Sequence, residues 1–171
     1  NMMNKIIEEE KPTYIMVAFD KGRTFRHEKY DLYKDGRIEM PNELRQQFPV
    51  AKEMLTAMGI KYYEIDNYEA DDIIGTFAEF CDVDPRFIGT IISSDKDLLQ
   101  LISSDIDIKL LKTKDCIRYN EESFKEAYGF DPIKIIDLKA LMGDPSDNIP
   151  GVKGIGEKTA LKLIQDYDSL D

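Results

Sequence analysis

An α/β fold, with a parallel sheet flanked by helices and followed by a helical tail, is predicted by three observations in this chain of 171 residues. Short apolar runs rich in β-branched and aromatic residues alternate with segments whose apolar residues recur at helical spacing, as in strands joined by crossover helices. Two of those runs lead to an aspartate, one directly and one through two serines, and ligands of open parallel sheets collect at the carboxyl ends of strands. From about residue 120 the strand pattern stops and only helical spacing continues.

The elements follow in order. Residues 2–11 (MMNKIIEEEK) have helical character. Thr13 to Phe19 (TYIMVAF) is a continuous apolar run between Pro12 and Asp20 and predicts a buried strand. Phe48 to Met58, Ala70 to Phe80 and Leu98 to Ile102 predict helices, the second with Ile73, Ile74 and Phe77 facing inward. Lys61 to Ile65 and Phe87 to Ile92 predict strands, the latter running into Ser93, Ser94 and Asp95. Weaker strands are expected at Ile106 to Leu111 and Cys116 to Tyr119. Asn120 can cap a helix over 121–128 that Gly129 closes, and Asp131-Pro132 opens another reaching Met142. A glycine-punctuated turn and a helix over 157–166 finish the chain. No linker-like composition divides it, so 1–171 is expected to be one domain: an α/β core over 1–119 and a helical part over 120–171.

No stretch approaches the roughly 18 apolar residues that span a bilayer, and no secretory pattern opens the chain, so a cytoplasmic location is expected. Cys81 and Cys116 form no CxxC pair and read as small buried hydrophobes rather than zinc ligands or a disulfide framework. The formal charge of −11 argues against a simple nucleic-acid binder. Its distribution is uneven: Lys21 to Arg37 holds six bases and three acids, a net +3 patch. Alone, that patch would be a solvated surface with mixed charge.

The acids give it another meaning. Asp20 and Asp95 sit at strand ends, and Asp97 follows Asp95 by two. Glu69, Asp71 and Asp72 lie at the first turn of a predicted helix, Glu69 and Asp72 on one face. Asp144 and Asp147 precede the turn, bringing the set to eight acids in four clusters. Each cluster alone could merely start a helix or make a turn. Together they resist that reading, because two like charges ~4 Å apart repel by about 4 kcal/mol at an effective dielectric of ~20. Convergence would require raised pKa values or cations, and all-oxygen ligands favour Mg²⁺ or Mn²⁺ over zinc. With His27 as the single histidine and no nucleophile in a recognisable setting, paired metal ions are the natural source of acid–base chemistry for a phosphoryl displacement. The basic segment would then clamp phosphate.

In GDPSDNIPGVKGIG (143–156), glycines at 151, 154 and 156 suit a loop whose amides approach a ligand, ahead of a helix N-terminus. The alternative is that Gly143 caps a helix and an ordinary loop follows.

An ordered series of segments now carries a resemblance: VAFD (17–20), FRHE (25–28), YKDGR (33–37), YEADDIIGT (68–76), SDKDLLQL (94–101) and LKALMGDPSDNIPGVKGIGEKTA (138–160). Through nearly its whole length the chain resembles the bacterial 5′→3′ exonuclease and flap endonuclease group, which includes the nuclease domain of bacterial DNA polymerase I. The resemblance implies a PIN-like nuclease fold with a C-terminal helix–hairpin–helix, cleaving DNA flaps and 5′ ends in replication and repair, RNA primers included. It implies one metal cluster of Asp20, Glu69 and Asp71 helped by Asp72, and a second of Asp95, Asp97, Asp144 and Asp147, with Asp20, Glu69, Asp71, Asp95 and Asp147 catalytic. Residues 21–47 would form an arch, where Arg26, Lys34 and Arg37 meet phosphates and Tyr33 either stacks on a base or simply packs. The hairpin at 150–156, with Gly151, Lys153, Gly154, Gly156 and Lys158, would grip duplex backbone without reading sequence, through amides and a monovalent cation such as K⁺.

Two departures qualify the transfer. The family opens with a strand ending in another metal-binding aspartate, which no segment here matches, so the chain reads as truncated at both ends and its own activity as impaired. DKGRTFR is also one residue shorter than usual, which loosens the assignment of Lys21 and Arg23. A non-catalytic DNA-junction module is therefore the alternative, and an RNA-directed nuclease a third reading. The protein is expected to be a monomer, with a polymerase domain able to follow it in the parent.

Overall fold

A computed structural model describes residues 2–113 and 115–170. Helix α1 (Met2–Glu10) precedes β1 (Met16–Ala18), and α2 (Phe25–Lys29), α3 (Asn42–Arg45) and α4 (Gln47–Ala57) lead to β2 (Lys61–Tyr63). Helix α5 (Ala70–Val83), β3 (Gly89–Ser93) and a 3₁₀ turn (Asp97–Leu101) follow, then β4 (Ile106–Leu111) and β5 (Cys116–Tyr119). The tail is α6 (Glu121–Tyr128), a 3₁₀ turn (Pro132–Lys134), α7 (Ile135–Met142), the two-residue strands β6 (Gly143–Asp144) and β7 (Ile149–Pro150), and α8 (Glu157–Tyr167). No helix among the described residues is long and apolar enough to cross a membrane.

The predicted α/β alternation is present, and the sheet is built in pieces. β1 and β2 pair in parallel, as do β3 and β4, while β5 turns back antiparallel on β4. β1 and β3 thus each have one edge that no strand pairs among the described residues. Helix α5 packs on β1, β3 and β4 and spans the two pieces. Lys109 of β4 and Arg118 of β5 bind Glu9 and Glu10, which anchors α1 to the sheet.

Several expectations shift. The run at 13–19 forms a strand only over Met16–Ala18, half-buried, and Tyr14 is exposed because it lies before the pairing with β2 begins. The second predicted strand shortens to three residues, and the third starts at Gly89. The segment at 98–102 is a 3₁₀ turn, too short for a helix to propagate. On α5, Ile73 is buried and Ile74 packs against the core, but Phe77 faces out and meets Tyr63. Both cysteines are half-buried.

The tail has clear local causes. Asn120 accepts the Ser123 N–H to cap α6, and Gly129 takes the left-handed conformation (φ 81°) that ends it. Phe124 from α6, Leu98 and Leu99 from the first 3₁₀ turn, Ile108 from β4, Leu138 from α7 and Ile164 from α8 share one core. The helical tail and the α/β part are therefore packed around the same interior, with the acid-bearing loops gathered above it.

Candidate active site

Seven carboxylates line one cleft of 240 Å³: Asp20, Glu69, Asp71, Asp95, Asp97, Asp144 and Asp147, joined by Lys34, Arg37, Lys96, Lys139 and Ser146. They are delivered by strand ends, helix starts and one turn. Asp20 follows β1 and accepts the Ala70 N–H at 2.7 Å, which ties it to the first turn of α5. Glu69 is the N-cap of α5 and Asp71 lies in its first turn, where the helix dipole favours negative charge. Asp95 follows β3, takes a bond from the Asp97 N–H at 2.8 Å and donates its own N–H to Ser93 Oγ. Asp144 ends β6 and Asp147 lies on the turn to β7, and Asp144 accepts both the N–H and hydroxyl of Ser146 at 2.8 and 2.6 Å.

The two acid groups predicted apart are continuous. Burial, then the charges of Asp95, Asp20 and Glu69, pushes the Asp71 carboxyl up to about 6. Asp71 is exposed as a residue, and its carboxyl lines the cleft with the other acids. Burial likewise raises Asp97, against the pull of Lys139, which bridges Asp97 at 2.7 Å and Asp144 at 2.8 Å. For Asp144, burial is overcome by hydrogen bonds from Lys139 and Ser146, which hold it well below the usual carboxylate range. Lys34 meets Glu69 at 2.7 Å, and Arg37 pairs with Asp147. The donor set is all oxygen, without histidine or cysteine, which fits a hard divalent ion. With the bases interleaved, no three His, Cys, Asp or Glu among the described residues stand ready to hold one.

Three assignments change. Asp72, expected to help hold metal, turns from the cleft: Arg26 binds it through two bonds of 2.7 and 2.8 Å, and it accepts the Glu69 N–H as the capping-box partner. The bond from Arg26 is what lowers the Asp72 pKa. Arg26, expected at phosphate, is correspondingly engaged. Tyr33 is no exposed stacking platform. It is 6% exposed, with its hydroxyl 3.0 Å from both Glu69 and Asp147, the placement of a packed ring. Burial, then the Glu69 charge, raises its pKa.

Lys139 and Ser146 were not anticipated. A signal existed for Lys139, the one base in the apolar helix IIDLKALM, five residues before Asp144. Ser146 sits within the recognised run but offers no charge to single it out.

In the hairpin, the glycines divide. A Cβ on Gly151 would stand 2.2 Å from the Met142 carbonyl carbon and 2.4 Å from the Gly143 nitrogen, so Gly151 is required by two crossing backbones rather than by a ligand. Gly154 (φ 86°) and Gly156 have open space around them, and Gly156 is the N-cap of α8. Lys153 and Lys158 are exposed beside them. Gly143 does close α7, as the alternative reading held, but β6 and β7 then form a short antiparallel ladder rather than an ordinary loop.

Residues 1–129 match the family model for the 5′-3′ exonuclease N-terminal resolvase-like domain. The chain belongs to the 5′-3′ exonuclease family. Residues 130–171 match the model for the 5′-3′ exonuclease C-terminal SAM fold. Among curated relatives, DNA polymerase I of Bacillus caldotenax is 50% identical and that of Bacillus subtilis 47%, each over 99% of this chain. The chain spans about a fifth (20%) of the length of those relatives. Bacteriophage T5 5′-exonuclease with bound zinc superposes with a TM-score of 0.80 at 26% identity, covering 98% of this chain and 65% of the other. The T5 flap endonuclease in a complex with DNA and metal ions gives 0.77 at 25%, covering 99% and 65%. The catalytic core of Rad2, at 23% identity and a TM-score of 0.59, shares the fold, with 91% of this chain and 48% of that one covered. The predicted PIN-like α/β architecture with a helical C-terminal region is thus the family's.

Proposed function

We propose that this 5′-3′ exonuclease domain hydrolyses DNA phosphodiester bonds at 5′ ends and flaps, with Mg²⁺ or Mn²⁺ held by Asp20, Glu69, Asp71, Asp95, Asp97, Asp144 and Asp147. The observation that carries it is the convergence of seven carboxylates in one cleft, rimmed by Lys34 and Arg37 and directly joined to the hairpin. Metal-bound and DNA-bound T5 relatives support the reading. When bound, such ions lower the pKa of a water and stabilise the attacking and leaving oxygens of an in-line displacement. The chain's own residues do the rest. Lys34 and Arg37 exchange their carboxylate partners for the phosphate flanking the scissile bond. Tyr33 holds Glu69 and Asp147 in fixed orientation from a buried hydroxyl. The amides at 152–156, Lys153, Lys158 and the N-terminus of α8 grip duplex phosphates without reading bases, aided by a monovalent cation such as K⁺.

In this reading the domain works as a monomer, alongside a polymerase activity such as the curated relatives are named for, in removing flaps and RNA primers. A 5′-flap duplex incubated with the intact protein and Mg²⁺ tests the site. Cleavage abolished by EDTA, and slowed at least a hundredfold by Asp95→Ala and Asp147→Ala, is expected. Unchanged rates in both variants would refute it.

The interleaving of Lys34, Arg37 and Lys139 with the acids favours a second reading, a junction-binding module without catalysis. It predicts salt-sensitive flap binding that survives both Asp variants and weakens in Lys153→Ala, with no cleavage in Mg²⁺. Comparing RNA and DNA flaps in the same assay separates an RNA-directed enzyme from either.

A further inference from the structure

Residues 30–37 meet the loop at 146–148 from more than a hundred positions away in sequence, and six hydrogen bonds join the two, two of them from the Tyr33 hydroxyl and Arg37 to the Asp147 carboxylate. The Asn148 side-chain amide donates to the Leu32 carbonyl at 2.9 Å, and the Asn148 carbonyl accepts the Tyr30 hydroxyl at 3.1 Å. Next to it, the Asp147 carbonyl accepts the Lys34 N–H at 2.9 Å. Arg37 Nε donates to the Ser146 carbonyl, also at 2.9 Å. Asn148 and Lys34 face each other across this seam, both in the left-handed region at φ 58° and 57°. Asparagine tolerates that conformation better than most residues, and here its side chain also does something glycine could not.

We infer that Asn148 is a positioning residue, a latch that holds the 30–37 turn in register over the carboxylates; the inference rests on the nuclease reading above. The physical reason is the kind of bond involved. Lys34 and Arg37 also touch the acids through ion pairs, and a bound phosphate competes directly for those pairs. The bonds of Asn148 are between neutral groups, mainly main-chain carbonyls, and a polyanion does not displace them. When Lys34 and Arg37 turn to substrate, the latch is what keeps their backbone, and the Tyr33 hydroxyl, at the cleft. Its effect falls on the chemical step rather than on duplex affinity, which belongs to the hairpin.

Asn148→Gly keeps the left-handed backbone and removes the amide; Asn148→Asp keeps size and shape but sets an oxygen against the Leu32 carbonyl. In the intact protein, amide exchange at Lys34 should accelerate about tenfold in both variants, the scale of one lost hydrogen bond. Single-turnover cleavage of a 5′-flap duplex in Mg²⁺ should fall about tenfold, with flap affinity in EDTA within about twofold of the parent. If glycine restores parental exchange at Lys34, Asn148 serves only its own turn and the latch is refuted. Faster exchange with an unchanged cleavage rate refutes the positioning role. Should the unsubstituted protein fail to cut the flap at all, the nuclease reading falls, and exchange at Lys34 then decides the latch by itself.

Discussion

Burial and three neighbouring carboxylates oppose the ionisation of Asp71 and push its carboxyl up to about 6. Between the ordinary value of 3.8 and about 6, the folded chain binds a proton that the unfolded chain has released, so stability falls as pH rises through that window and levels above it. Asp71→Asn should remove this slope. In EDTA its thermal midpoint is expected to match the parent near pH 4 and exceed it at pH 7, as differential scanning calorimetry can read. Lys139 acts in the opposite sense. Exchanging it for methionine leaves Asp97 and Asp144 without their shared cation and should cost about 1–2 kcal/mol in urea unfolding at pH 7. At this scale the acids were legible because carboxylates at strand ends and helix starts have few other reasons to gather. For Tyr33, left between stacking and packing, and for Asp72, the limit was the same: sequence shows that a base or ring is near, not which partner captures it. Arg26 takes Asp72, and Glu69 with Asp147 takes the Tyr33 hydroxyl.

The hairpin between α7 and α8 shows how an element can be read correctly for an incomplete reason. Its glycines announced a tight backbone, yet the tightness at Gly151 comes from the crossing with Met142 and Gly143 rather than from a ligand. Gly151→Ala should therefore destabilise the chain by about 3 kcal/mol or more, since main chain cannot yield as a side chain would. Gly154→Ala meets no neighbour and carries only the strain of a left-handed alanine, about 1–2 kcal/mol. Denaturant midpoints for the two variants check the difference. The strands were less legible than the helices. Three-residue β1 and β2 are too short to fix their ends by alternation, and the antiparallel return of β5 depends on pairing with β4 that no local pattern specifies.

Across the whole molecule, the α/β part and the helical tail share the core that Phe124 centres and are expected to unfold as one cooperative body. The boundary between the two matched family models, at residues 129 and 130, passes through that interior. Phe124 is 0% exposed, and Phe124→Ala should remove about 3–5 kcal/mol. Far-ultraviolet ellipticity and tyrosine fluorescence should then shift together in a urea titration, whereas separate transitions would show two independent bodies. The unity of this core was visible in the sequence only as the lack of a linker. The edges of β1 and β3 that no strand pairs among the described residues bear on how the protein keeps in a tube. Tyr14, Val83 and Ile88 lie exposed, and open strand edges are templates for pairing between molecules. Mutual repulsion between copies of charge −11 holds such edges apart, and added electrolyte shortens its range. A concentrated stock will therefore stay clear longest in dilute buffer, and rising salt will be what brings on clouding.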